Sequence, residues 1–475
     1  MLPRIRFVQI FKRFNSTNEI TGSFQYTKLT NKSYIKIWGP DTIKFLNGMI
    51  TSKLQPHFVK KNLMTINDQD KSQLNGSSII NFPLDKSNWG LYQEESSHGE
   101  YISKFGQYTG FLNGKGKLMT DSILYSTQRI ERLNYPEFLI EFDKGMIPHM
   151  IQDFESHKLG SRIKFSVMEN LNCWDIMIKF NSIPSNVENP WIDNLIDPMT
   201  RMKTPEDAKL FYDNVIGTLF KDDKRKNNII SCFVDNRFNK LIFKDSNESI
   251  RIRIVTTKDC DDIGKIYNDK MMPFPIEIQR YTDNSDIFRK KRLINGFIDG
   301  IQDVKPNSLL PLECNFDYMP NVISSNKGCY VGQELTARTV STGILRKRLV
   351  SVILDISPDK LSSKQQLPVN EYIDVELDEK YDAVKTNIAP NPFSKGDSIT
   401  TTIKKRKKPV GSLITTQDEI GIVLLRTDYF PLAFNEKFKD ARDKFYIMTP
   451  DGDRINVIPR KPFWYEEWVK AQTNR

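Results

Sequence analysis

Short alternating runs of apolar and polar residues, rather than long continuous stripes, set the rhythm of this chain. Tyr34-Ile35-Lys36-Ile37-Trp38 has the period of two expected of a strand, and Gly39-Pro40 stops it. Asp41 then offers a cap for a helix over residues 41–48, whose Phe45 and Leu46, with Met49 just beyond, would face a core. Residues 108–112 and 118–125 read as strands joined by the Gly-rich turn at 113–117, where Asn113-Gly114 is a strong hairpin signal. Residues 138–142 suit a strand and residues 147–158 a helix entered through Pro148, ahead of strands at 163–167 and 174–180. Ile250-Arg251-Ile252-Arg253-Ile254-Val255 alternates strictly, which predicts a half-exposed strand with both arginines on a solvated face.

From residue 349 the pattern turns all-β, with strands at 349–354, 410–414 and 421–425 and regular turn signals between them, as in a small barrel or sandwich. Three polar stretches break the rhythm. Residues 55–99, 181–228 and 357–397 are rich in Asn, Ser, Asp, Lys or Pro and read as inserted loops, the second with a short helix over 206–212.

With 475 residues, the chain has room for roughly two to four domains. Its formal charge of +10 is inflated by the first sixteen residues, which hold Arg4, Arg6, Lys12 and Arg13 among apolar residues and no acid. That segment resembles a mitochondrial presequence, and its removal would leave about +6, which weakens the case for nucleic acid. The basic run at 404–408 has neither interleaved aromatics nor an RNA-binding motif, so RNA ranks last among partners. No stretch approaches the ~20 apolar residues of a membrane span. Cys173, Cys232, Cys260, Cys314 and Cys329 are widely spaced, and the four histidines form no ligand pattern. A disulfide framework and a self-contained metal site are therefore not expected.

The densest chemistry lies at residues 326–334. Gly328 and Gly332 permit a turn that presents Cys329 and Tyr330. Lys327 would favour a thiolate at Cys329, while Gln333 and Glu334, leading toward Arg338, would brace the turn. The alternative is a small buried cysteine. A Cys-His nucleophile is disfavoured because every histidine lies in the first third of the chain.

Lys327-Gly328-Cys329-Tyr330-Val331-Gly332-Gln333-Glu334 resembles the signature of the YgfZ-type, folate-binding relatives of the glycine-cleavage T-protein. Supporting matches are Gly39-Pro40-Asp41, Phe45-Leu46-Asn47-Gly48, the 112–117 turn, Phe233-Val234-Asp235-Asn236-Arg237, Arg292-Leu293-Ile294-Asn295-Gly296, Pro311-Leu312-Glu313 and Val410-Gly411. With the basic leader, the resemblance points to the mitochondrial branch, which acts late in iron–sulfur protein maturation. It implies an α+β fold, with two intertwined ferredoxin-like halves and a C-terminal β-barrel ringing a hole that accepts tetrahydrofolate. The chain would then divide into a presequence (1–16), a folate-binding-type module (17–345) and a barrel (346–475).

The implied role is non-catalytic: assembly or delivery of [4Fe–4S] clusters to client enzymes in the mitochondrial matrix, together with A-type scaffold proteins. A transient cluster would be shared between Cys329 and a partner's cysteines, because such clusters are normally held by several thiolates. Asn113 and Arg292 are the folate-side candidates. The competing reading is a folate-dependent one-carbon transferase with Asp121 as its acid or base. Two departures bear on it: the family's acidic pair after the Gly-rich turn reads Thr120-Asp121 here, and its Asp-Pro-Arg turn reads Asp235-Asn236-Arg237.

Overall fold

The computed structural model describes residues 21–54, 90–94, 96–127, 135–183, 186–221, 228–271, 275–324, 326–356, 371–381, 408–435 and 441–473. The leader, most of the 55–99 and 357–397 stretches and residues 404–407 lie outside the described residues. The described residues form two compact units: one drawn from the chain up to Phe288 with Pro306–Pro311 and Phe316–Val340, the other from Arg289–Lys305, Leu312–Asn315 and residues from 341 onward.

The first unit carries β1 (Thr21–Leu29), β2 (Lys32–Trp38), α1 (Thr42–Asn47), β3 (Leu91–Gln93), β4 (Tyr101–Ser103), β5 (Gln107–Leu112), β6 (Leu118–Ser126), β7 (Glu137–Asp143) and α2 (Ile147–Lys158). It continues through β8 (Lys164–Met168), β9 (Leu171–Asn181), α3 (Pro205–Leu219), β10 (Ile229–Val234), β11 (Ile250–Thr257) and β12 (Ile276–Arg280). Two five-stranded sheets result, ordered β5-β6-β7-β2-β8 and β10-β11-β9-β1-β12. All pairings are antiparallel except β1 with β12, which runs parallel. On the first sheet, Phe154 of α2 is fully buried, with its ring 5.8 Å from Phe45 of α1, 5.9 Å from Phe111 and 5.7 Å from Phe165. Burying such a ring stabilises the helix–sheet contact by about 1.5–3 kcal/mol.

Five expectations are corrected. Arg251 and Arg253 do not face solvent, because β11 lies between β10 and β9 and both side chains are buried. Arg251 lies over the Phe238 ring at 4.4 Å, and Arg253 donates to Glu141 of β7, in the other sheet, at 2.6 Å. The same carboxylate accepts the hydroxyls of Tyr125 (2.7 Å) and Tyr34 (3.3 Å) and lies 3.6 Å from the Cys173 sulfur. Burial first, and the Glu141 charge second, push the Tyr125 hydroxyl and the Cys173 thiol well above their ordinary ranges.

Asp41 does not cap α1. Its carboxylate accepts from the Arg162 backbone N–H at 2.8 Å and the Arg162 Nε at 3.1 Å. The 181–228 stretch is not simply a loop with a short helix. It builds α3, fifteen residues long, started by the Thr204 hydroxyl accepting from the Asp207 N–H and by Pro205 in the first turn. Phe211 and Tyr212 of α3 pack their rings on Phe105 at 5.9 and 5.1 Å. The end of the 55–99 stretch likewise contributes β3, paired antiparallel with β4, and the 357–397 stretch is not simply a loop either, since it supplies a barrel strand over Ile373–Leu377.

The chain passes through α4 (Asp286–Leu293) and α5 (Gln333–Thr342) before the strands of the second unit. That unit closes a six-stranded barrel from β13 (Lys347–Leu354), β14 (Ile373–Leu377), β15 (Gly411–Gln417) and β16 (Ile420–Arg426), then, after α6 (Phe430–Phe434), from β17 (Phe445–Met448) and β18 (Arg454–Pro459). A last helix, α7 (Tyr465–Thr473), follows. β18 pairs back onto β13, so no edge is left open. Buried Asp303 accepts from Arg289 and Arg292, both at 2.9 Å, and Arg289 also donates to Thr415, Thr416 and Gln417 of β15. The mixed fold and the barrel match expectation, and the 289–305 segment is tied to the barrel by charge-assisted hydrogen bonds.

Replacing Arg253 by Met strands the Glu141 charge inside the first unit and should lower its unfolding free energy by about 3–5 kcal/mol, read by urea denaturation. Arg162→Ala, at the exposed Asp41 pair, should leave the denaturation midpoint nearly unmoved in the same assay. Equal losses would show that burial does not set the scale.

Candidate functional site

Residues 326–334 form an irregular turn that runs into the first turn of α5, and its backbone is held from two sides. On one side lies the segment after α1. The Val331 N–H donates to the Gly48 carbonyl at 3.0 Å, and the Lys327 ammonium donates to the carbonyls of Ile50 (2.6 Å) and Ser52 (2.8 Å). That segment is itself fixed to β5, since the Thr51 N–H donates to the Gly110 carbonyl and the Ser52 hydroxyl to Thr109 Oγ1 at 2.8 Å. Thr51 Oγ1 reaches the Val322 carbonyl at 2.7 Å, just ahead of the turn.

On the other side is the β5–β6 hairpin turn. Gly332 adopts φ +72°, and a Cβ there would sit 2.3 Å from the Asn113 carbonyl oxygen and 3.0 Å from the Gly116 Cα. Gly116 has φ +75°, and its own Cβ would fall 2.8 Å from the Gly332 carbonyl oxygen. Two glycine-bearing turns thus meet backbone to backbone, at a separation side chains do not permit. Inside the turn, Gln333 Oε1 accepts from the Tyr330 N–H at 3.1 Å. Tyr330 is buried, its hydroxyl pushed up to about 12, chiefly by burial.

The Lys327 ammonium also lies 4.6 Å from the centre of the Tyr330 ring. Burial pulls its pKa down to about 7; the Glu94 carboxylate pulls the other way, and the Lys53 cation adds a smaller downward push. The donors of Lys327 are therefore directed at an anchor of two carbonyls. Cys329 is exposed, whereas Cys173, Cys232, Cys260 and Cys314 are all buried. Glu334 is exposed and its 4.0 Å approach to Arg338 adds little. The sequence reading missed the partner segment 48–54. Its signal is the run Thr51-Ser52-Lys53, polar in sequence yet buried in the fold.

Asp121 is buried and accepts the Tyr108 hydroxyl at 2.6 Å. The Tyr108 ring is covered by the Arg237 guanidinium at 4.0 Å, and Arg237 is paired through Nε and Nη2 with Asp235 at 2.8 and 2.7 Å. The Asp235-Asn236-Arg237 turn is thus held by an ion pair across its ends. Asn113 accepts from the Lys115 and Lys117 N–H groups and donates to Asn307 at 2.8 Å. Arg292, in the other unit, donates to Asp303 and lies 3.8 Å from Asp299. Both folate-side candidates are engaged by their own surroundings. Among the described residues, no group of three or more His, Cys, Asp or Glu side chains is placed to hold a metal, and no helix is long and apolar enough to cross a membrane.

Gly332→Ala should force the two turns apart, so that a maleimide labels Cys329 at an altered rate while β-sheet circular dichroism is retained. An unchanged rate would mean that the close approach does not set the display of the thiol. Lys327→Met leaves the Ile50 and Ser52 carbonyls without their donor and should cost about 1–3 kcal/mol. Because the folded-state pKa of Lys327 is depressed to about 7, the unfolded chain binds more protons between about pH 7 and its ordinary value of 10.5. The stability of the native chain should therefore rise relative to the Met variant as pH climbs through that window. A flat difference would remove the assignment.

No family model matches the chain. It is 40% identical over 482 residues to the iron-sulfur cluster assembly factor IBA57 homolog, mitochondrial, of Candida glabrata, covering 98% of this chain and 95% of that one. It is 41% identical over 466 residues to the iron-sulfur cluster assembly factor IBA57, mitochondrial, of Saccharomyces cerevisiae, covering 94% and 90%, and 39% identical over 455 residues to the Kluyveromyces lactis homolog, covering 93% of each. A crystal structure of glycine cleavage system aminomethyltransferase T from Bartonella henselae aligns with 93% of this chain and 87% of its own at a TM-score of 0.44 and 10% identity, too slight a likeness to carry an argument. Identity near 40% along almost the whole length settles the family: the chain belongs to the IBA57 mitochondrial iron–sulfur cluster assembly factors.

Proposed function

We propose that the chain assists the assembly or delivery of [4Fe–4S] clusters to client enzymes in the mitochondrial matrix, acting with an A-type scaffold protein and contributing Cys329 to a shared, transient site. The observation that carries this reading is the exposure of one thiol on a turn braced from both sides, while the other four cysteines are buried. A cluster needs several thiolates, so the remaining ligands would come from the partner. Lys327, Gly332 and Gln333 act as positioning residues, since each fixes the backbone on either side of the thiol.

Tetrahydrofolate fits poorly at the residues first assigned to it. Asn113 is used inside its own turn and by Asn307, and Arg292 is engaged with Asp299 and Asp303. The buried hydrogen bond from Tyr108 to Asp121 likewise supports a role for Asp121 in holding the fold.

The test is Cys329→Ala in cells, scoring several [4Fe–4S] and [2Fe–2S] enzymes together, with the purified variant checked by thermal unfolding. Selective loss of the [4Fe–4S] activities with an unshifted melting temperature is expected. Loss of both classes, or of neither, would refute the proposal, as would a Cys329→Ser protein that still develops the visible absorption of a cluster when mixed with its A-type partner.

A further inference from the structure

A cleft of about 530 Å³ opens in the first unit and shares no lining residue with the turn that carries Cys329. Four lysines line it: Lys28 and Lys32 from either side of the β1–β2 turn, Lys144 from the turn after β7 and Lys258 from just beyond β11. The fold thus brings three distant stretches of chain together. Lys32 is neutralised by Asp143 at 2.9 Å, with both side chains 5% exposed, so that pair forms part of the buried floor. Lys28 lies half-buried, its ammonium 5.7 Å from the centre of the Trp174 ring, while Lys144 and Lys258 are exposed. Against these three cations the lining offers one carboxylate, Glu169. The remaining wall is largely apolar, with Ile147 and Val167 among its members.

Cations gathered in a concave site repel one another unless an anion offsets them, and the low-dielectric wall sharpens the field that such an anion feels. The volume falls within the range of small-molecule sites. The chemistry of the cations narrows the class. Lys28, Lys144 and Lys258 set against Glu169 leave about two positive charges, which match the dianion of a phosphoryl group, and each lysine is a point charge with three rotatable donors. The apolar wall calls for an organic body attached to that group.

We infer that this cleft binds a small organic phosphate, with the phosphoryl group between Lys28, Lys144 and Lys258 and the organic body against Ile147 and Val167. The site does not depend on the function proposed for Cys329.

Titration calorimetry of the full chain with ADP, inorganic pyrophosphate and citrate tests the inference. ADP is expected to bind at one site, at least threefold more tightly than pyrophosphate and at least tenfold more tightly than citrate. The double variant Lys144→Glu/Lys258→Glu should weaken ADP at least tenfold without shifting thermal unfolding, because both side chains are exposed. Absence of saturation at millimolar ADP overturns the inference, as does binding that the double variant leaves unchanged. Pyrophosphate binding as tightly as ADP removes the organic body, and citrate binding as tightly removes the phosphate. Displacement of ADP by an acidic peptide that binds more tightly would reassign the cleft to a protein partner.

Discussion

A single carboxylate, Glu141, is the constraint on which the first unit turns. It sits in one sheet and takes the guanidinium of Arg253 from the other, while two tyrosine hydroxyls and the Cys173 sulfur lie against it. A buried charge of this kind tolerates few arrangements, since every hydrogen-bonding site left unmatched carries a desolvation penalty. The apolar contacts beside it would accept a range of sheet positions. The ion pair accepts far fewer, so it specifies the register between sheets more than it adds to their stability, and β2, β6, β7, β9 and β11 share one reference point.

The candidate site inherits that order. The hairpin of β5 and β6 belongs to the same sheet as Glu141, and the tip of this hairpin is the surface against which Gly332 packs. A chain of backbone contacts therefore runs from the sheet to the turn bearing Cys329. No loop side chain has to reach far to hold the thiol in place, and Lys327, the longest of them, points inward to two carbonyl oxygens.

Much of this was legible in the sequence, and the boundary of legibility is physical. The hairpin at 113–117, the helix at Ile147–Lys158 and three of the six barrel strands, β13, β15 and β16, follow from local rules of turn chemistry and period, whereas β14 lies inside the 357–397 stretch whose polarity reads as a loop. The burial of Arg251 and Arg253 is not legible, because alternation reveals that a strand has two unlike faces without revealing what covers the polar one. The sequence understates α3 because prolines signal interruption, whereas Pro205 follows a Thr204 cap and begins the helix. In the site, the glycines and the thiol were visible as a cluster. Their receptor at 48–54 was not, since only the folded chain brings it there.

That last point has a consequence for when the site exists at all. Lys327 and the Ile50 carbonyl it grips are 277 residues apart in sequence. Contacts of such span close late in folding, after local hairpins and helices have formed, because a long loop must be ordered before the contact rewards it. An unfinished or partly unravelled chain carries the same cysteine without the same presentation. The display of Cys329 is in effect a certificate of completed folding, so a partner that recognises the braced turn discriminates against immature copies of this chain with no separate checkpoint.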